Sequence, residues 1–311
     1  MAKSADIVAL KTGLGRTFIG VVLLATATSL PELGAGVSSI ALFGEPDLAA
    51  GDIFGSNMFN LLIIGLLDIW WRSSPILSEV SISSAVVGAA GITLISIAAV
   101  AMFIHQSTSV LDGWYVSPFS LVMIVFFAAM MFIVFRVERG QEQADEPEAY
   151  TGSSLTRALI LYAISAAIVV GAAVWLANTG DKLSDAMGWE ASFVGTQFLA
   201  FSTSIPELAA SFAAIRLRAP ELAISGILGS NMFNMGFILF VDELVYTSGS
   251  IWAAFSPIHM LTAAIAILMT SIVIIALAAQ QKRAPSQFWT TEAMLLIVLY
   301  VAASVLVFSL G

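Results

Sequence analysis

Long apolar stretches separated by short polar runs organise almost the whole chain. Nine of them reach the roughly 20 residues that a helix needs to cross a bilayer: 17–42, 48–69, 77–103, 114–135, 155–177, 190–214, 221–241, 253–279 and 287–309. The pattern predicts an all-α polytopic membrane protein with nine transmembrane helices. Two of the nine are interrupted. Pro31 falls inside the first and Pro206 inside the sixth, where the run from Ser202 to Glu207 is too polar to face lipid.

Composition agrees with a membrane location and excludes several function classes. Of 311 residues, 59% are hydrophobic and 11% charged, against about 25% charged in soluble domains. Mean hydropathy is +0.96. No cysteine is present, which removes disulfide and thiol chemistry. His105 and His259 are far apart in sequence and suggest no transition-metal cluster. The net charge of -9 comes from acids gathered in loops, and no basic patch points to nucleic acid.

The basic residues set an expected orientation. Lys3, Lys11, Arg16, Arg72, Arg136, Arg139, Arg157, Arg216, Arg218, Lys282 and Arg283 all fall on one side of a nine-span topology, and only Lys182 on the other. The positive-inside rule then places the N-terminus in the cytoplasm and the C-terminus outside. The first span carries a motif that returns later, which argues against a cleaved signal peptide. Trp70, Trp71, Trp114 and Trp252 are expected in an interfacial aromatic belt.

A polar signature occurs twice. Thr28-Ser29-Leu30-Pro31-Glu32 returns as Thr203-Ser204-Ile205-Pro206-Glu207, and Gly55-Ser56-Asn57-Met58-Phe59-Asn60 returns as Gly229-Ser230-Asn231-Met232-Phe233-Asn234. Asp6 to Gly20 also aligns without gaps to Asp181 to Gly195. The copies are five predicted spans apart, an odd number, so they enter the membrane in opposite directions. That is the inverted-repeat plan of secondary transporters, with the site near the midplane. The expected domains are a first repeat over 1–136 (motif 25–60), an acidic linker over 137–154, and a second repeat over 155–311 (motif 201–234).

Within each motif a hydroxyl lies one helical turn from a carboxylate or amide: Thr28 with Glu32, Ser56 with Asn60, Thr203 with Glu207, Ser230 with Asn234. These are hard oxygen donors, suited to Ca²⁺ or Na⁺ and poor for soft metals. Pro31 and Pro206 cannot donate to the carbonyls of Ala27 and Ser202, which adds acceptors at membrane depth. Gly55 and Gly229 allow close helix crossing. Two glutamates balance one Ca²⁺, two Na⁺ or two protons. Left empty, they repel in low dielectric, so only the loaded protein is expected to switch conformation.

Blander accounts apply to several residues. Asn60 and Asn234 are alternatively interhelical glue, and Thr28 and Thr203 alternatively bond their own backbone. Asn57 and Asn231 read as supporting or packing residues, Asp52 as a helix-start anchor, and His259 as interfacial packing. Glu221 reads as favouring a helix N-terminus, and Asp242 with Glu243 as a solvated edge.

At these motifs, Ala25 to Glu32 with Gly51 to Asn60 and Phe201 to Glu207 with Gly226 to Asn234, the chain resembles the sodium/calcium exchanger family of the cation/calcium antiporter superfamily, prokaryotic type. The resemblance runs from about Asp6 to the end. It implies an inverted-repeat fold of ten helices in two sets of five, of which the first helix is missing here, and alternating access with Ca²⁺ exported against Na⁺. By position, Glu32 and Glu207 match the family's central acids. Thr28, Ser29, Thr203 and Ser204 match its neighbouring sodium and calcium ligands, and Ser56, Asn60, Ser230 and Asn234 the polar positions of the partner helices. Asn234 stands where several prokaryotic members carry Asp, which leaves two central carboxylates and gives weight to proton coupling or to fewer than three sodium ions per cycle.

The expectation is a cell-membrane antiporter and not an enzyme, with H⁺-coupled Ca²⁺ or other cation antiport as the alternative. A channel and an intramembrane protease are the competing classes. No cofactor is expected beyond the transported ions, and the partners are Ca²⁺, Na⁺ or H⁺ and the bilayer. No obligate protein partner is expected, and association with a second copy stays open.

Overall fold

The structure is a computed structural model that describes residues 4, 7, 8, 19, 22, 24–71, 74–111, 113–138, 154–279 and 290–310. Residues 139–153 of the acidic linker expected over 137–154, and most of the aligned run from Asp6 to Gly20, lie outside these residues. So do Lys3, Lys11, Arg16, Arg72, Arg139, Lys282 and Arg283.

The described chain is helical. In the first half, α1 (Ala25–Thr28) and α2 (Leu30–Ser38) are followed by a π-helical turn (Ser39–Phe43), then α3 (Pro46–Trp70), α4 (Ser83–Ser107) and α5 (Pro118–Glu138). The second half opens with α6 (Leu155–Met187) and α7 (Ala191–Val194), a π-helical turn (Gly195–Leu199), α8 (Ala200–Thr203) and α9 (Ile205–Arg216). It continues with α10 (Pro220–Phe233), a third π-helical turn (Asn234–Ile238), α11 (Leu239–Val245), α12 (Ile251–Ala254), α13 (Ile258–Ala279) and α14 (Thr291–Leu310).

The expected count of nine spans is corrected to seven. Among the described residues, seven helical stretches are long and apolar enough to cross a membrane: Pro46–Trp70, Ser83–Ser107, Pro118–Arg136, Ala191–Arg216, Pro220–Val245, Ile258–Ala279 and Thr291–Leu310. Of the stretch 17–42, residues 19, 22 and 24–42 are described. The chain breaks at Ser29 into α1 and α2, because Pro31 cannot continue the hydrogen-bond ladder. The stretch 155–177 lies within the 33-residue α6, of which Leu155–Ser165 is the described apolar part.

The two halves pack as inverted copies. Pro46 and Pro220 each open a helix at a position that needs no backbone donor, followed at once by an acid, Asp47 or Glu221. Each acid reaches across to the other half. Asp47 Oδ1 accepts the Ser256 backbone N–H at 2.5 Å and lies 3.1 Å from His259 Nε2, at the start of α13. Glu221 Oε2 accepts the Ser81 N–H at 2.5 Å and Oε1 accepts the Ser84 hydroxyl at 2.9 Å, at the start of α4. These contacts tie opposite ends of the bundle, one to each end, and α4 packs along α13 between them.

The motif helices are the most buried. From Leu48 to Leu61 every residue of α3 is buried, as befits a helix that is apolar on all faces and carries small residues. A Cβ added to Gly55 would sit 2.5 Å from the Thr196 carbonyl oxygen, and one on Gly195 2.5 Å from the Leu48 carbonyl oxygen. These glycines let α3 cross the 191–203 segment at backbone contact, which carries Asp52 and Ser56 up to Thr203.

Candidate cation site

Both halves break their helix at the serine of the first motif, and they break it alike. Ser29 has φ -86 and ψ 5; Ser204 has φ -85 and ψ 3. Pro31 and Pro206 then sit in the first turn of the resumed helices α2 and α9, with Glu32 and Glu207 beside them. The break turns a hydroxyl and the following carboxylate toward the other half.

Contacts between the halves come in symmetric pairs. Ser29 Oγ donates to Glu207 Oε1 at 3.4 Å, and Ser204 Oγ donates to Glu32 Oε1 at 3.4 Å. Thr28 Oγ1 lies 3.3 Å from Ser230 Oγ, and Ser56 Oγ 3.3 Å from Thr203 Oγ1. Ser230 Oγ also donates to Glu207 Oε1 at 3.3 Å. The two glutamates face each other closely enough for their charges to interact. Both threonines also bond the carbonyl four residues back, at 2.9 Å, so the backbone role and the contact across the halves coexist.

The asparagines form a separate layer. Asn60 Nδ2 donates to Asn231 Oδ1 at 2.9 Å, Asn231 Nδ2 donates to the Asn57 carbonyl at 3.1 Å, and Asn234 Nδ2 donates to Asn57 Oδ1 at 3.4 Å. Asn57 and Asn231 thus hold Asn60 and Asn234 in place, a supporting role in keeping with the sequence.

None of the ten residues Thr28, Ser29, Glu32, Ser56, Asn60, Thr203, Ser204, Glu207, Ser230 and Asn234 is more than 2% exposed. Four of their oxygens have no hydrogen-bond donor: Glu32 Oε2, Glu207 Oε2, Asn60 Oδ1 and Asn234 Oδ1. They are two pairs related by the repeat. Buried acceptors left without donors are costly, and a hard cation supplies what they lack. Among the described residues, no group of three or more His, Cys, Asp or Glu side chains is placed to hold a metal. The donor set is instead mixed, with hydroxyls and amides beside the acids.

Four sequence expectations fail on burial. Asp52, expected as a helix-start anchor, lies in the second turn of α3, is 0% exposed, and its Oδ1 accepts the Thr203 hydroxyl at 2.7 Å. Its spacing of four and eight residues from Ser56 and Asn60 was a readable signal. Asp242 and Glu243, expected at a solvated edge, are 0% and 2% exposed. Trp252, expected in an interfacial belt, is buried and donates to Ser120 Oγ and Glu243 Oε1, both at 3.0 Å. His259 is buried rather than interfacial and stacks on Phe54.

Two halves packed as inverted copies bring carboxylates, hydroxyls and amides together at buried positions among apolar helices, the arrangement found in inverted-repeat membrane transporters. Residues 1–140 and 157–309 match the family model described as "Sodium/calcium exchanger protein". The chain belongs to the sodium/calcium exchanger family, whose members are transporters and not enzymes. It is 27% identical to "Inner membrane protein YrbG" of Escherichia coli (strain K12), over 80% of this chain and 75% of that one. It is 25% identical to "Sodium/calcium exchanger MaX1" of Methanosarcina acetivorans, over 98% and 93% of the two chains. Among solved structures, the sodium-calcium exchanger NCX_Mj soaked with 100 mM Na+ and 10 mM Sr2+ superposes with a TM-score of 0.68, at 21% identity, over 97% of this chain and 90% of that one.

Proposed function

We propose that this protein exports Ca²⁺ in exchange for Na⁺ by alternating access, with the ten residues above forming the central site. The observation that carries the reading is the set of four partnerless buried oxygens, two from glutamates and two from asparagines, related by the repeat. Two carboxylates neutralise one Ca²⁺ or two Na⁺, and hydroxyls and amides complete a hard-oxygen shell. The site is buried from either end, as an occluded intermediate requires. Emptied, it leaves two mutually repelling carboxylates in low dielectric, so loaded forms switch and the empty form does not. That penalty yields exchange instead of leak.

The same reading assigns residues 1–136 and 155–311 to the two repeats. It places the end of the bundle that carries Arg136, Arg157, Arg216 and Arg218 in the cytoplasm, with Lys182 near the opposite end, following the bias of basic residues.

Calcium uptake into proteoliposomes under an imposed sodium gradient, with the pH gradient collapsed, tests the proposal. Uptake should follow the sodium gradient and vanish in Glu207→Gln. Uptake that ignores sodium and follows a pH gradient would transfer the scaffold to proton coupling, a reading favoured by the amide at Asn234 and the count of two central carboxylates.

A further inference from the structure

Eight residues past Asn60 lies Asp68, and eight residues past Asn234 lies Asp242, so the repeat makes these two acids counterparts. Both are buried, at 3% and 0% exposed. Their surroundings differ completely. Asp68 Oδ1 accepts the Ile76 backbone N–H at 2.9 Å and Oδ2 accepts the Thr290 hydroxyl at 2.8 Å. It stitches the end of α3 to the starts of the 76–79 turn and α14. Asp242 has no donor at either oxygen.

The difference has a local cause. α3 runs as regular α-helix through Asn60 to Trp70, whereas the second repeat inserts the π-helical turn Asn234–Ile238 before α11. A π turn closes on the fifth residue instead of the fourth, so it rotates the downstream helix relative to the upstream one. Asp242 is thereby swung away from the face that Asp68 uses and against α2. There it meets Gly36, where an added Cβ would lie 2.8 Å from both carboxylate oxygens. Gly36 is one turn past Glu32 on the same helix face. One further step along that face, Ser39 is 0% exposed with a partnerless hydroxyl, and α11 packs on its turn. The charge that Asp242 senses is that of Asp52, whose Oδ2 also lacks a donor.

We propose that Asp242, Asp52 and Ser39 form a second hard-cation site, for Ca²⁺ or Na⁺, stacked on the central one toward the Asp47 end of the bundle. Four buried oxygens without donors lie in this region: both of Asp242, one of Asp52, and that of Ser39 on the turn against which α11 packs. Two buried carboxylates whose charges interact cannot both stay ionised inside a membrane bundle without a counter-charge. The missing side chain at Gly36 leaves Asp242 room against α2. Asp52 links the two sites, because its other oxygen is bonded to Thr203 of the central one. The second site extends the cation chemistry proposed above and is tested separately from it.

Binding of Ca²⁺ alone, and in a parallel titration Na⁺ alone, is measured by calorimetry on the purified full chain in detergent. The wild type should show a binding event that Asp242→Asn abolishes, and a separate one that Glu207→Gln abolishes. The titration in which the Asp242 event disappears identifies the ion. Ser39→Ala, which keeps the packing, should weaken that same event several-fold. Asp68→Asn should lower thermal stability and leave both events in place. If Asp242→Asn binds as many Ca²⁺ and as many Na⁺ ions as the wild type, or if Asp242→Asn fails to fold and Ser39→Ala leaves both affinities unchanged, the second site does not exist. Failure of Glu207→Gln to remove any event would instead overturn the central site and leave this one standing.

Discussion

Ser29 donates to Glu207 at 3.4 Å across the boundary between the repeats, although 178 residues separate them in the chain. The reverse contact, Ser204 to Glu32, has the same length. Each repeat therefore supplies a hydroxyl to the other's carboxylate, and Glu207 Oε1 has a second one, Ser230 Oγ at 3.3 Å, from its own repeat.

Substituting either glutamate by glutamine should nearly abolish coupled counterflow. Removing one charge of a buried set that a cation neutralises costs on the order of 3–5 kcal/mol, which corresponds to roughly 10²- to 4 × 10³-fold in calcium affinity. Glu32→Gln and Glu207→Gln should both lose on this scale, because each carboxylate accepts a hydroxyl from the opposite repeat. Calcium uptake in proteoliposomes and equilibrium calcium binding both read this, and retention of full affinity by either variant would contradict the central site.

The serines should behave as equals. Ser29→Ala and Ser204→Ala each remove one hydroxyl from a carboxylate, worth about 0.5–1.5 kcal/mol, or roughly two- to tenfold in apparent calcium affinity. The threonines should not be equal. Thr203→Val strands Asp52 Oδ1, whose donor at 2.7 Å is the Thr203 hydroxyl, whereas the position in the second repeat that corresponds to Asp52 is Gly226. Thr203→Val should therefore lower thermal stability by about 1–3 kcal/mol more than Thr28→Val, as measured by unfolding in detergent.

Gly55→Ala should be damaging out of proportion to one methyl group. Its Cβ would stand 2.5 Å from the Thr196 carbonyl oxygen and 2.7 Å from Ala200 Cβ. Relief requires α3 to move off the segment that carries Thr203, at a cost of about 1–3 kcal/mol. The expected result is a lower unfolding temperature together with weakened calcium binding. The same change at Gly91, where an added Cβ meets nothing within 4 Å, should cost little.

Acidification should inhibit calcium binding. In the proposed site Glu32 and Glu207 would coordinate as carboxylates, and a proton on either would remove both a charge and an acceptor, so protons and Ca²⁺ would compete. Apparent calcium affinity, followed by titration at a series of pH values, should fall as pH falls and recover when pH is restored. Glu207→Gln should flatten the dependence.

Much of the architecture was legible in the residues. The duplicated Thr-Ser-hydrophobe-Pro-Glu and Gly-Ser-Asn-Met-Phe-Asn runs point to the family and to two matched sets of oxygen-bearing side chains, whereas spacing does not give the contacts of Ser29 with Glu207 and Ser204 with Glu32 across the halves. Span counting was weaker. Hydropathy fixes where apolar runs lie but not how far each is wound as one apolar helix: the chain breaks at Ser29 between α1 and α2, and only Leu155–Ser165 of α6 is given as apolar. Asp242, Glu243 and Trp252 were misjudged for a related reason: nearness to the end of an apolar run suggests water, but helices from the other half cover that end.

The primary structure alone determined that this chain lives in a membrane, that it is built from two matched halves, and that carboxylates, hydroxyls and amides lie at matched depths in them, because composition and helical periodicity are local properties. Only tertiary structure decided that Asp68 is tied by hydrogen bonds while Asp242 stands bare beside Gly36. That outcome depends on a π-helical turn that rotates one helix and on glycines that let another come within backbone contact, and rotation and close approach are relations between segments far apart in the chain.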